Sequence, residues 1–274
     1  MSLSSSVMQI LYPPPDSALI TAMSVMGIAA FTNVAISEIK GKNMKYSKFC
    51  STDEDDDEKH KKKRKLVIPS KRGMLLCYAP AFVAAAGAAS LTIFSGDGLR
   101  FFIVTSALTI HYLKRLLEVL FIHRYSGGMT IDASITISIS YFIYTATMIY
   151  SQYLCIGHQE PSINLTYMGV ALFVVGLLGN LYHHIILSTL RKEGEKVYKI
   201  PEGGLFGVVV CPHYLFEILG FWGLSCMSQT IYGLLSTLGT TILLIGRSYA
   251  TRKWYISKFE DFPKNSKALI PFLF

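Results

Sequence analysis

The fold turns on Asn180–Glu217, which reads NLYHHIILSTLRKEGEKVYKIPEGGLFGVVVCPHYLFE. The stretch starts inside an apolar helical run and leaves it through Leu190-Arg191-Lys192. It then crosses a polar loop with Pro201 and Gly203-Gly204 and re-enters apolar sequence after Cys211-Pro212-His213. Asn180, His184, Leu187 and Arg191 fall at i, i+4, i+7 and i+11, one stripe of one helix. His213 and Glu217 stand four apart on the next helix. Titratable groups at the rim of two apolar helices are costly in a membrane, and the default reason for them there is a site.

Composition places the stretch in a membrane. The chain has 274 residues, 51% hydrophobic, with only 16% charged, against about a quarter in soluble domains. Mean hydropathy is +0.39. Long apolar runs separate clumped charges, and seven of them approach the ~20 residues that cross a bilayer as a helix. They fall at about 16–37, 73–94, 99–122, 132–154, 164–189, 208–225 and 229–250. The expected fold is all-α, a polytopic membrane protein with seven transmembrane helices. Residues 1–39 supply a luminal N-terminus and the first span, 40–72 a charged cytosolic loop without structure, and 73–274 a six-helix core. No signal peptide is visible, so the first span is expected to act as the insertion signal. The five cysteines make no CxxC pair and no metal spacing, and read as free thiols.

Basic residues set the expected orientation. Twelve Lys and Arg lie between Lys40 and Arg72, Arg124 follows the third span, and Arg191, Lys192, Lys196 and Lys199 follow the fifth. The tail adds Arg252, Lys253, Lys258, Lys264 and Lys267, whereas the alternate connections hold Arg100 alone. The positive-inside rule then puts the N-terminus in the lumen and the C-terminus in the cytosol. The block Asp53–Lys65, DEDDDEKHKKKRK, reads as a solvated loop rather than a nuclear-localisation or anionic-lipid patch. The sequon at Asn164 stands at the edge of a span, where it is expected to go unused.

With this orientation the costly side chains share one level. Asn33, Tyr78, His111, Tyr112, Lys114, Arg115, Glu118, Asp132, Asn180, His183, His184, His213, Glu217 and Arg247 all fall in cytosolic halves of spans. A conduit would need polar groups through the full depth. This pattern implies a pocket open to the cytosol and the bilayer and closed to the lumen. Lys114 and Glu118 read equally well as a local charge-neutralising pair. His213 with Glu217 reads as a packing hydrogen bond or as half a metal site. No HExxH or acidic cluster supports a metal, and none is expected. Rossmann, Walker and GxSxG motifs are absent, and nothing points to nucleic acid.

Several pieces of the last third resemble the steroid 5-alpha-reductase family, whose relatives include very-long-chain enoyl-CoA and polyprenol reductases. They are Asn180, Leu190-Arg191-Lys192-x-Gly194-Glu195, Tyr198-x-Ile200-Pro201-x-Gly203-Gly204-Leu205-Phe206, Glu217, Arg247, Phe259-Glu260-Asp261-Phe262-Pro263-Lys264 and Lys267-Ala268-Leu269-Ile270-Pro271-Phe272. His111-Tyr112-x-x-Arg115 is similar to the family's His-Tyr-x-x-Arg stretch. The resemblance implies an endoplasmic reticulum enzyme that binds NADPH in a cytosol-facing cavity. It would reduce a carbon–carbon double bond conjugated to a carbonyl in a lipid, a 3-oxo-Δ4 steroid first, an enoyl-CoA or polyprenal as alternatives. It implies Tyr112 as hydrogen-bond donor to the carbonyl and Arg115, Arg191 and Arg247 as partners of cofactor phosphates. Asn180, Tyr198, His213 and Glu217 follow as polar cofactor contacts, and Arg124 as a weaker match.

The sequence also departs from the family pattern. Tyr78 occupies the place of the catalytic glutamate, His184 that of an aspartate and His213 that of an asparagine. An S-adenosylmethionine methyltransferase and an inactive homologue remain the rival readings. A transporter lacks the paired Gly/Pro-broken helices it would need.

Overall fold

The computed structural model describes residues 9–44, 46, 49, 66–95, 98–125, 127–192, 195 and 197–274, with backbone alone at 93–95. The Asp53–Lys65 block, Cys50, and most of the 40–72 loop lie outside the described residues. Seven long helices run up and down: α1 Ala18–Ile39, α2 Ser70–Ser95, α3 Leu99–Leu117, α4 Ile131–Tyr153, α5 Thr166–Thr189, α6 Pro212–Ser228 and α7 Ile231–Lys258. Five of them (α1, α2, α4, α5 and α7) are long and apolar enough to cross a membrane by length and composition. Seven spans were expected; α3 carries Arg100, Lys114 and Arg115, and α6 has only 17 residues. The chain is a multi-pass membrane protein.

The fold is mostly helical, not wholly so. Strand β1 (Val67–Pro69) pairs antiparallel with β2 (Gly128–Thr130), and Tyr46 bridges Met129 on the other side. Part of the loop expected to lack structure therefore caps the polar end of the bundle. α3 passes directly into a π-helical turn, Glu118–Ile122, closed by the His123 N–H on the Glu118 carbonyl at 2.7 Å.

Close helix packing follows from small residues. A Cβ at Gly176 would lie 2.4 Å from the Gly220 nitrogen, so α5 and α6 touch backbone to backbone. On α2, Pro80 cannot donate to the Leu76 carbonyl four residues back. The Ser138 hydroxyl of α4 donates to that carbonyl instead, at 2.8 Å. Ser134 does the same for Gly73 at 3.0 Å. These two bonds, with the Cys77 thiol donating to the Ser134 carbonyl, fix the turn that carries Tyr78.

The opposite end is closed by a second polar knot. Arg100, at the start of α3, donates to the Met227 carbonyl at 2.8 Å, the Gln229 side chain at 2.9 Å and Glu160 at 2.9 Å. Gln229 joins α6 to α7 in the left-handed conformation (φ 49°) and is fully buried. Its amide holds the carbonyls of Ile10 and Ile163. One buried cation thus ties the N-terminal segment, the α4–α5 loop and the α6–α7 turn together.

Candidate functional site

The stripe on α5 faces inward as the periodicity predicts. Asn180 and His184 are buried, while Leu187 and Arg191 line a hollow at the polar end. The hollow has two lobes, of about 170 and 200 Å³, which share Tyr46, Leu187, Arg191, His213 and Tyr214. Arg247, Tyr198, Lys199 and Thr251 line the first lobe; Arg115, Arg124, His123 and His184 line the second. Arg115, Arg191 and Arg247, from three helices, therefore converge on one space.

Their states differ. The Arg191 guanidinium lies 5.0 Å from the centre of the Tyr198 ring, and its Nη1 is buried with no hydrogen-bond partner. Thr251 Oγ1, in the same lobe, is likewise buried and unsatisfied. Two orphan donors at one lobe suit an anion, because each buried unmade bond costs about 1–3 kcal/mol. Arg247 is already held: its Nη1 reaches both oxygens of Glu38 at 2.7 Å. Lys199 pairs with Glu195 at 2.8 Å. Arg124 lies at the lip and donates to the Arg191 carbonyl.

Beneath the second lobe, Glu118 is the centre of an ion network and is 1% exposed. It accepts from Lys114 at 2.8 Å, Arg115 at 3.1 Å and His184 Nδ1 at 3.0 Å. His184 Nδ1 also lies 3.3 Å from Arg115. One ring nitrogen cannot donate to the carboxylate and accept from the guanidinium at once. Carrying the proton toward Glu118 is the tautomer that satisfies the charge. Lys114 continues to the Asn180 amide oxygen, and Asn180 donates to the His213 carbonyl at 2.8 Å. Sequence reading left Lys114–Glu118 as a local pair; the structure makes it the joint between α3, α5 and α6.

Arg115 donates its other edge to the Tyr78 hydroxyl at 2.5 Å. The Tyr141 ring stands between Tyr78 and Tyr112, 5.3 and 5.9 Å from their centres. Tyr112 accepts from Thr145 at 3.0 Å. Both phenols are buried; Arg115 and Met74 line the second lobe, but neither phenol does. Glu217 is half-buried and makes no hydrogen bond or ion pair among the described residues. The His213 ring packs on Tyr214 and His184, 4.3 and 5.5 Å away.

His183, next to the stripe, serves the loop instead. Its Nδ1–H donates to the Gly179 carbonyl at 2.7 Å, and its Nε2 accepts from the Leu205 N–H at 3.1 Å. Gly204 stands against that ring in the left-handed region (φ 53°), and a Cβ there would come within 2.9 Å of His183 Nε2. Pro201-x-Gly203-Gly204 is thus a turn docked on α5, which sets where Tyr198 and Lys199 enter the hollow.

Glu118, His123 and His184 lie within 4.8 Å of one another and could in principle ligate a metal. The carboxylate already serves Lys114 and Arg115, so a divalent cation would meet two positive charges there. Burial and the nearby Arg115 push His123 down to about 4, in keeping with a cation-rich surrounding. Sequence reasoning missed Glu38, Tyr46 and Thr251. Only Glu38, a lone acid ending an apolar helix, carried a usable signal.

Residues 129–274 match the family described as 3-oxo-5-alpha-steroid 4-dehydrogenase. The chain is 32% identical over 183 residues to a steroid 5-alpha-reductase of Gossypium hirsutum, covering 63% of this chain and 70% of that protein. It is 35% identical over 172 residues to a very-long-chain enoyl-CoA reductase of Dictyostelium discoideum, covering 60% and 55%. To a 3-oxo-5-alpha-steroid 4-dehydrogenase 1 of Bos taurus it is 34% identical over 173 residues, covering 62% and 67%. The chain thus spans between about half and about two thirds of these relatives' lengths.

Proposed function

Because the chain belongs to the 3-oxo-5-alpha-steroid 4-dehydrogenase family, oxidoreductases acting on CH–CH bonds, we propose that it reduces a double bond conjugated to a carbonyl in a membrane lipid, with NADPH as cofactor. A 3-oxo-Δ4 steroid is the substrate class. An enoyl-CoA is the second reading, favoured by the 35% identity to the Dictyostelium reductase. The protein works in the endoplasmic reticulum membrane, crosses it seven times, and opens the hollow to the cytosol, with its C-terminus on that side.

The observation that carries this reading is the hollow itself. Arg191 Nη1 and Thr251 Oγ1 are buried and unsatisfied at its first lobe, beside Arg247. These are donors an anionic cofactor would complete, and guanidinium forks match phosphate geometry. Arg191 and Arg247 would hold the phosphates. Tyr198 would support Arg191 from its ring face, and Asn180, His213 and Glu217 would supply neutral and acidic contacts deeper in.

When bound, NADPH supplies the hydride for the β-carbon of the conjugated system. Negative charge then develops on the substrate's carbonyl oxygen, and a positioned donor stabilises it. Tyr112 and Tyr78 are the donors. Each phenol oxygen accepts a hydrogen bond from within the protein, Tyr112 from Thr145 and Tyr78 from Arg115. Each keeps its own proton for the substrate. The glutamate of the family pattern is replaced by a phenol that a cation holds in place.

The test is NADPH consumption by the purified protein against 3-oxo-Δ4 steroids, trans-2-enoyl-CoAs and polyprenals. Consumption with the steroid supports the first reading, and consumption with the thioester alone moves the assignment to the second. Binding of S-adenosylmethionine without NADPH would sink both.

A further inference from the structure

Helix α1 is apolar along its whole length apart from its last turn. Its one ionised residue, Glu38, is 1% exposed. Nothing about a lipid-facing helix requires a buried carboxylate, and burying one is costly unless it is paired. Glu38 is fully engaged. Both oxygens accept from Arg247 Nη1 at 2.7 Å, and Oε1 also accepts from the Met44 N–H at 2.9 Å. The Asn43 amide, turned so that its nitrogen faces Glu38, donates to Oε2 at 2.8 Å.

Arg247 is held on its faces as well as its edge. The Tyr46 and Phe49 ring centres lie 4.4 and 4.3 Å from the guanidinium carbon. Tyr46 also lines both lobes of the hollow and pairs with Met129 of β2. Only Nη1 of Arg247 is used; Nε and Nη2 make no hydrogen bond among the described residues. The guanidinium is planar and rigid, so fixing one corner and both faces fixes the direction of the rest.

We propose that Glu38 is a positioning residue for the cofactor: through Arg247 Nη1, and with Tyr46 and Phe49 as an aromatic clamp, it aims the free edge of Arg247 at an anionic group in the first lobe. This rests on the reading of the hollow as an NADPH site and adds to it a residue from the first helix. The opposite arrangement, in which Glu38 merely neutralises Arg247 and keeps it from the phosphate, predicts the opposite sign.

Four proteins distinguish these: wild type, Glu38→Gln, Glu38→Asp and Glu38→Gln combined with Arg247→Ala. NADPH dissociation constants, KM and kcat are measured on detergent-purified full chain with matched melting temperatures. Positioning predicts about tenfold weaker NADPH binding for Glu38→Gln, with kcat at saturation unchanged. It also predicts partial recovery in Glu38→Asp, and a double variant no weaker than Arg247→Ala alone. Equal or tighter binding by Glu38→Gln overturns the proposal, as does a loss confined to kcat. If Glu38→Gln does not fold, Tyr46→Leu leaves the ion pair intact and removes one face of the clamp. Weaker NADPH binding by that variant supports the proposal, and unchanged binding overturns it. Should wild type itself fail to bind NADPH, the cofactor reading falls first and this one with it.

Discussion

The Arg115 guanidinium donates to the Tyr78 hydroxyl at 2.5 Å and also covers the Tyr78 ring, 4.9 Å from its centre. A phenol held in this way is not a passive replacement for a carboxyl. Its oxygen faces a cation whose charge is balanced by Glu118 on the other edge. Substitution of Tyr78 therefore disturbs more than one proton donor, and the choice of variant matters.

Tyr78→Phe keeps the ring under Arg115 and removes only the hydroxyl. Turnover is expected to fall about 10²-fold, the usual size of a lost proton donor, with NADPH binding intact. Tyr112→Phe is expected to act in the same way. Single-turnover kinetics on both variants assign the donor, and unchanged turnover in both would remove the phenols from the mechanism.

Arg191→Ala is expected to weaken NADPH binding tens-fold, as about 2 kcal/mol for a charge-assisted bond implies. NADH binding should weaken less if Arg191 meets the 2′-phosphate. Fluorescence titration with both nucleotides checks this; equal affinity of wild type for the two counts against the cofactor assignment.

Gly176→Val puts a branched side chain where a Cβ already lies 2.4 Å from the Gly220 nitrogen. Separation of α5 from α6 is expected to cost more than about 3 kcal/mol and to move the hollow's two walls apart. Gly87→Ala, on a helix position with nothing within 4 Å, serves as the control and should hold or slightly raise the melting temperature. Thermal melts in one detergent compare the two.

The knot at the far end gives a pH dependence. Partial burial would raise the Glu160 carboxyl, but hydrogen bonds from Arg100 and Tyr12 outweigh it and hold it below its ordinary value of 4.5. A lowered folded value means its contribution is complete above 4.5 and disappears as pH falls through the lower folded value. The melting-temperature gap between wild type and Glu160→Gln should be full at neutral pH and close below pH 4.5. A constant gap across that window would show that the ion pair does not carry it.

Much of the bundle could be read from hydropathy. The fifth span was expected at 164–189 and is Thr166–Thr189; the third was expected at 99–122, and α3 with its π turn ends at Ile122. Asn180, His184 and Arg191 share a face because helical spacing is local. What escaped was everything settled by partners far apart in sequence. Three-residue strands such as Val67–Pro69 are too short to show alternation. Glu38 looked like a flanking charge because its partner stands 209 residues away. Glu118 looked like half of a local pair because His184, on another helix, is invisible from α3.

The π turn at Glu118–Ile122 holds one more residue than a regular helix would over the same rise. Deleting a single residue from it should be tolerated by the backbone, which would relax to ordinary α geometry. The cost would be rotational: every side chain beyond the cut would swing by roughly 100° about the axis. His123 would lose its edge-on stacking against His184, 4.8 Å between ring centres, and Arg124 its hold on the Arg191 carbonyl. Such a shortened chain would fold and insert, yet its rim would be out of phase with its floor.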